Sequence, residues 1–371
     1  MREGWEYKKL GECTQILDSQ RKPVTKKDRK EGVYPYYGAT GIQDYVDKYI
    51  FEGRYVLVGE DGAKWGAFDK SAFIIDGKTW VNNHAHVLKP FELLVDSYLT
   101  YYLNHSDLNG FISGAIVRKL TQSSLKNIKI PLPPKSTQLA IVSELDKINE
   151  LIRLKKEQLK DFDNLAQSIF YEMFGDPVEN EKGWEVKKLN DISQEIGDGL
   201  HGTPEYSDVD TGCFFINGNN LENGIIVIKD NTKTVSEKTK AKHYIEMDDF
   251  TILVSINGTL GKVAFYRGEN VILGKSACYI KLTSYNDKKY IYELLKSEYF
   301  KRYAETECTG TTIRNVSLKS MRNFPIPLPP LPLQHLFAQR IEQIEQQKAE
   351  VQKAITDLET LLASRMQYWF E

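Results

Sequence analysis

Cysteine is scarce. Cys13, Cys213, Cys278 and Cys308 are the only four in 371 residues, and no two have CxxC spacing. That excludes a zinc ribbon or a disulfide framework and fits a reducing compartment. Long apolar runs are missing too. Nothing approaches the roughly 18 residues of a membrane span, and the opening "MREGWEYKKL" has no signal-peptide core, so a cytoplasmic protein away from membranes is expected. Neither charge sign dominates: the net charge is −2 and the pI near 6.4. In bulk this argues mildly against a nucleic-acid partner, and what matters is where the basic residues cluster.

Catalytic signatures are lacking as well. There is no Asn-Pro-Pro-Tyr-like tetrad and no glycine loop after a strand, and no Ser/His/Asp or paired-carboxylate constellation stands out. "EVK" (Glu185 to Lys187) after Asp176 and Pro177 mimics a nuclease pattern. Its counterpart "EYK" (Glu6 to Lys8) has no preceding Asp-Pro, which makes a strand start the better reading. No catalytic residue and no cofactor are expected.

What is present is duplication. "GWEYKKLGECTQI" from Gly4 returns as "GWEVKKLNDISQEI" from Gly183, and "VRKLTQSSLKNIKIPLPP" from Val117 returns as "IRNVSLKSMRNFPIPLPP" from Ile313. Between them "VLVGEDGAKWGAF" parallels "ILVSINGTLGKVAF", with Gly62 on Gly258. Ordered agreement at three places identifies two copies of one unit, and the length suits two domains of about 100–200 residues. In each copy short β-branched and aromatic runs broken by Gly, Asn and Asp predict a β-rich globule. Helices are predicted near its end, at Asp96 to His105 and Lys288 to Glu305.

After each PLPP comes a long helix. Prolines hold the entry extended, and Ser136 or Thr137 is the expected N-cap of the first. Ile141, Leu145, Ile148, Ile152, Lys155, Leu159, Phe162, Ala166, Ile169 and Met173 alternate steps of four and three. Phe337, Ile341, Ile344, Lys348, Val351, Ile355, Leu358, Leu362, Arg365 and Trp369 repeat the alternation. Such seams argue for two coiled-coil helices rather than helices packed each on its own globule. The first stops at "FGDP", where Gly175 supplies a left-handed cap and Pro177 prevents resumption. For the seams to meet, the second helix must run back antiparallel. The expected fold is α+β: two β-rich domains, residues 1–134 and 176–330, with spacer helices at 135–175 and 331–371. About 35 helical residues span roughly 50 Å, so the pair would act as a ruler between two heads.

The ordered set of motifs over both repeats resembles the specificity subunit of type I restriction-modification systems. The resemblance covers the whole chain and rests on the two GWExKKL openings, "YYGATGIQDYVDKYIFEG", "NNHAHVLKP", "GDGLHGTPEY", "ILVSINGTLGKVAFY" and the two PLPP-to-helix junctions. It implies two target recognition domains reading the halves of a split double-stranded DNA site. It also implies two modification (methyltransferase) subunits docked on the helices, with restriction subunits joining them. The competing classes are a two-headed adaptor for protein partners and a single-chain restriction enzyme, which would need catalytic motifs not found here.

Candidate DNA contacts follow from residue chemistry. "DSQRKPVTKKDRK" places Arg21, Lys22, Lys26, Lys27, Arg29 and Lys30 in a Pro-broken loop suited to phosphates, or simply to water. Tyr36 and Tyr37 could stack on bases or fill the core. Tight turns bring Lys64 or Lys262 to the surface. Asn82, Asn83, His84 and His86 offer donors to base edges, and alternation sends two of the four inward. The His84 and His86 pair has a metal-like spacing, but no nearby Cys or third His completes a site, so no metal is expected. In the second copy His201, Thr203, Asn217, Asn219 and Asn220 are the counterparts, with turn formation the competing role for the asparagines. Arg118 with Lys119, and Arg314 at the matching place, are repeated basic positions suited to the DNA backbone.

Overall fold

The computed structural model describes residues 5–114, 116–308 and 314–371. Gly4 and Ile313, where two of the repeated strings begin, lie outside the described residues. The chain divides into two compact units, Met1–Gln158 with Val351–Glu371, and Leu159–Glu350.

The repeated ends of each copy are strands that pair with each other. Glu6–Lys9 pairs antiparallel with Lys129–Leu132, with Tyr7 opposite Pro131. Glu185–Lys188 pairs in the same way with Pro325–Leu328, Val186 opposite Pro327. Proline is tolerated there because each ribbon has only two strands, so both are edges. Glu185 and Lys187 therefore stand on a structural strand, as the comparison with "EYK" predicted.

Each unit then carries a four-stranded antiparallel sheet of the same order. In the first it runs Thr14–Ile16, Ala85–Pro90, Tyr55–Gly59, Ala72–Ile75. In the second it runs Ser193–Asp198, Ala277–Leu282, Thr251–Ser255, Val263–Phe265. Even the register is shared: Val56 faces Leu88 and Val58 faces His86, as Ile252 faces Ile280 and Val254 faces Cys278. The middles differ. The first unit adds a second four-stranded sheet, in the order Gly41–Val46, Glu31–Gly38, Lys78–Val81, Phe51–Glu52. Its two inner strands pair in parallel, and the second unit keeps that parallel pair, Phe214–Ile216 with Val271–Leu273, without the outer strands among the described residues.

The helix Asp96–His105 forms as expected, whereas the expected Lys288 to Glu305 helix is two, Lys288–Lys296 and Glu298–Glu307. Ser297 takes an extended ψ of 163° between them. The break turns the chain so that Tyr299, Phe300 and Tyr303 pack on Phe324. Tyr98 and Tyr290, buried at equivalent helix positions, donate their hydroxyls to the carbonyls of Pro131 and Pro327.

The long helices run Lys135–Phe174 and Leu331–Phe370 and pair antiparallel. In the first unit Glu144 accepts from Arg365 and Trp369, and Lys156 meets Glu359 at 2.8 Å. In the second unit Phe170 packs on Phe337, and Lys348 meets Asp163 at 2.6 Å. The seam follows the expected residues. Ile141, Leu145, Ile148, Ile152, Ile341, Ile344, Val351 and Ile355 are buried, while Leu159, Phe162, Leu358 and Leu362 are half-buried. Polar Lys348 and Arg365 fit within it through their carboxylate partners. Gly175 ends the first helix at φ 76°, in the left-handed region expected of it. The Trp184 indole donates to the Phe174 carbonyl at 2.8 Å, satisfying one of the groups a helix end leaves open.

The start of the first helix differs from expectation. Ser136 and Thr137 lie inside its first turn, not before it. Gln138 does the bracing: its amide donates to Leu93 and Pro133 carbonyls and accepts from the Val95 amide. Gln334 repeats this with Pro329 and Asp287. Both glutamines are essentially buried, at 0% and 2% exposure. Gln334→Ala should destabilise the second unit by about 2 kcal/mol, since it strands a half-buried amide and a buried carbonyl. Denaturant unfolding followed by circular dichroism measures this, and a change within 0.5 kcal/mol would contradict the bracing role.

Candidate nucleic-acid interface

Three segments of the first unit converge on one set of charges. They are the turn after Tyr55–Gly59, the loop before Ala85–Pro90, and the stretch entering Lys119–Leu120. Glu60 donates its amide to the His84 carbonyl and accepts the Leu120 amide, which ties the three together. Beneath them Arg21 reaches Glu60 at 2.5 Å and the Ala85 carbonyl at 2.8 Å. Lys119 meets Glu60 at 2.6 Å, and His86 meets Asp18 at 2.6 Å.

The fully buried His86 ring has acceptors on both sides. Nδ1 faces the Asp18 carboxylate and Nε2 faces the Leu120 carbonyl at 2.8 Å. Both ring nitrogens therefore have an oxygen within hydrogen-bonding reach. Burial pushes the Asp18 carboxyl up, but the hydrogen bond and charge of His86, with Arg21 and the Val87 amide, outweigh it and hold it below the ordinary range. Burial also raises Glu60, against larger combined effects of Lys119, Arg21 and His86 that leave it lowered. Asp18, Glu60 and His86 are spaced as metal ligands would be. Arg21 and Lys119 already neutralise the carboxylates, however, and both imidazole nitrogens are engaged. The arrangement fits an ionic lock better than a cation site.

The candidate contacts divide around this lock. Arg21 is committed inward, Lys119 pairs with Glu60 from a partly exposed position, and Asn82 is buried with its amide on Gln43. Asn82 and His86 point in while Asn83 and His84 are exposed; the division does not follow strand alternation, because Asn83 and His84 lie in a turn. His84 is paired with Asp61 at 2.5 Å. Lys22, Lys26, Lys64 and Arg118 are exposed. Arg29 instead pairs with Asp44 over the buried Tyr36 ring, and Tyr37 is half-buried beside Phe73.

In the second unit His201 and Thr203 are exposed, with His201 on Asp198 at 2.8 Å. Asn217 and Asn220 form a turn. The Asn217 amide donates to the Asn220 side chain, whose own NH2 goes to the Val227 carbonyl. Turn formation therefore accounts for these two, while Asn219 is exposed and Lys262 half-buried. Arg314 and Lys301 line a groove of about 310 Å³ with Gly258, Thr259, Leu260 and Glu305. One detail recurs: Arg118 donates to Asn109 and Arg314 to Glu305, each nine residues back.

The shared register also reveals positions that residue chemistry alone missed. Ala85 and Ala277 occupy the same sheet site, so Lys275 stands where Asn83 does, and it is exposed. Matching "NNHAHVL" to "GKSACYI" on the alanine would have found it, but too few other identities survive to make the match stand out.

A duplicated reader with exposed donors on loops over rigid sheets, joined by paired helices, defines a two-headed recognition protein rather than an enzyme. The family model for the type I restriction modification DNA specificity domain matches residues 2–161 and again 181–360. The chain belongs to that family and is a specificity subunit: a non-catalytic component of a type I restriction-modification complex that recognises DNA targets. It is 30% identical over 363 residues to a Haemophilus influenzae chain assigned as a type I restriction enzyme specificity subunit, covering 92% of this chain and 87% of that one. The specificity subunit structure from M. genitalium superposes with a TM-score of 0.55 at 15% identity, covering 99% of this chain and 96% of that one. A chain from a structural study of type I complex assembly and conformational transition gives 0.59 at 18% identity, covering 100% of this chain and 98% of that one. Among the described residues no helix is long and apolar enough to cross a membrane.

Proposed function

We propose that each unit reads one half of a split site in double-stranded DNA, with recognition segments 1–134 and 176–330 and spacer helices 135–175 and 331–371. The observation that carries this reading is the reuse of one sheet register under two different sets of surface loops. A constant frame with variable loops is how two different half-sites would be read by one ancestral unit. Lys22, Lys26, Lys64, Arg118, Lys301 and Arg314 supply phosphate contacts, and Asn83, His84, His201, Asn219 and Lys275 face the bases. The chain works in the cytoplasm, where its four free cysteines stay reduced.

Two modification subunits dock on the long helices, and restriction subunits join the assembly through them. Leu139, Leu151, Leu154 and Leu361 support this, because they expose 45–51% of their surface away from the seam. Exposed leucines on a helix otherwise facing water mark a surface that a partner covers.

The purified chain alone should methylate no DNA, and methylation should arise when the cognate modification subunit is added. Transfer of labelled methyl groups to duplex DNA reads this directly. Methyl transfer by the chain alone would overturn it. Binding that weakens steeply with salt separates DNA reading from a two-headed protein adaptor.

A further inference from the structure

The two readers solve the same structural problem in different ways. The site of buried His86 in the first unit is that of buried Cys278 in the second. Glu60, which bonds the His84 carbonyl and the Leu120 amide, is matched by Ile256, which bonds Ser276 and Val316 in the same way. Lys119 is matched by Asn315, each bridging to the residue after the turn, Asp61 or Asn257. The second unit therefore fills with Cys278 and Ile256 the place where the first unit buries an ion network.

The second unit keeps a carboxylate at the site of Asp18, Asp198 paired with His201 at 2.8 Å, yet it folds with Cys278 and Ile256 where the first unit has His86 and Glu60. The charges of the first unit need another reason. Each member pins a segment that carries an exposed candidate contact. Arg21 holds the Asn83 and Ala85 carbonyls, Glu60 holds Lys119 next to Arg118, and His86 holds the Leu120 carbonyl. Gln122 closes the far side on Asp18 at 3.1 Å. A buried network of this kind has one satisfied arrangement and penalises all others, which gives positional specificity beyond what apolar packing supplies.

We propose that Asp18, Glu60 and His86, with Arg21 and Lys119, are positioning residues that set the base-facing loops of the first unit, so that one half-site depends on an ionic lock and the other does not. This rests on the reading that each unit recognises one half-site. Asp18 and Glu60 have side chains only 6% and 9% exposed, so they act through the loops and not by touching DNA.

The test uses cells carrying the full chain with its modification subunit, and maps modified sites across the genome for wild type, Glu60→Gln and Asp18→Asn. A double variant, His86→Cys with Glu60→Ile, installs the arrangement of the second unit. The half-site belonging to the first unit is assigned by domain exchange. We expect discrimination at that half to fall about tenfold, the weight of roughly one mismatched base pair, while the other half stays sharp. Lys119→Arg, which keeps the pair with Glu60, should retain discrimination. Two results would overturn the proposal: unchanged discrimination at both halves in soluble variants, or equal blurring of both halves, the mark of general destabilisation. Should one variant fail to fold, the other two carry the same readout. If wild type itself leaves no two-part modified site, the half-site reading fails first, and this proposal with it.

Discussion

Exchanging residues 15–115 for the matching stretch of a relative should rewrite one half of the recognised DNA sequence and leave the other half intact. The exchange keeps the frame: the opening ribbon strands Glu6–Lys9 and Lys129–Leu132 lie outside the exchanged stretch, as does the helix entry braced by Gln138. It replaces the sheet Gly41–Val46, Glu31–Gly38, Lys78–Val81, Phe51–Glu52, of which the second unit keeps only the central parallel pair. It also replaces Lys22, Lys26, Lys64, Asn83 and His84, most of the exposed candidate contacts of the first unit. The half read through residues 190–312 should be untouched. A change at every specified base of one half corresponds to several mismatches at about 1–3 kcal/mol each, so the old half-site should lose affinity by orders of magnitude. Mapping methylated adenines genome-wide decides it. If both halves change together, the two units are not independent readers.

Lengthening both long helices by seven residues should move the preferred gap between half-sites by roughly three base pairs. Seven residues keep the heptad seam and add about 10 Å, against 3.4 Å of rise per base pair. Each long helix contributes one part to each compact unit, divided at Gln158 and Leu159 in the first and Glu350 and Val351 in the second. Matched insertions there leave Glu144 with Arg365 and Phe170 with Phe337 intact. Three base pairs also turn the duplex by about 100°, so affinity should fall even as the preferred gap lengthens. Inserting three or four residues in one helix alone should do worse, because it shifts the heptad register and turns apolar seam residues toward water. Modified-site mapping reads the gap. An unchanged gap in a stable, active double insertion would show that the helices do not set it.

The elements most legible in the sequence were those with a long period or a repeat. The two seams were readable because apolar residues recur at a fixed interval over 40 residues, and a helix has only one way to place them. The duplication was readable because GWExKKL and PLPP are strings that a chain does not make twice by chance. The pairing of those strings with each other as ribbon strands was not, since β-partners more than 100 residues apart leave no local signal. Ser297 was missed for the opposite reason. The local helical pattern continues through it, and only the packing of Tyr299 and Phe300 on Phe324 demands a break.

Among the candidate contacts, residue type set the list and burial sorted it. Arg21 and Asn82 have the chemistry of DNA contacts, yet their donors are engaged inside the protein, and the partly exposed Lys119 is taken by Glu60. An arginine reads the same in a sequence whether it meets a phosphate or a buried glutamate.

The sequence by itself therefore determined the two-copy plan and the coiled-coil helices, because periodicity and repetition survive projection onto one dimension. Only the tertiary structure decided which charged side chains reach solvent. That depends on whether a carboxylate from a distant segment, such as Glu60 beside Arg21 or Asp18 beside His86, lies within hydrogen-bonding reach. Desolvated charges must find such partners, and the fold alone brings those partners together.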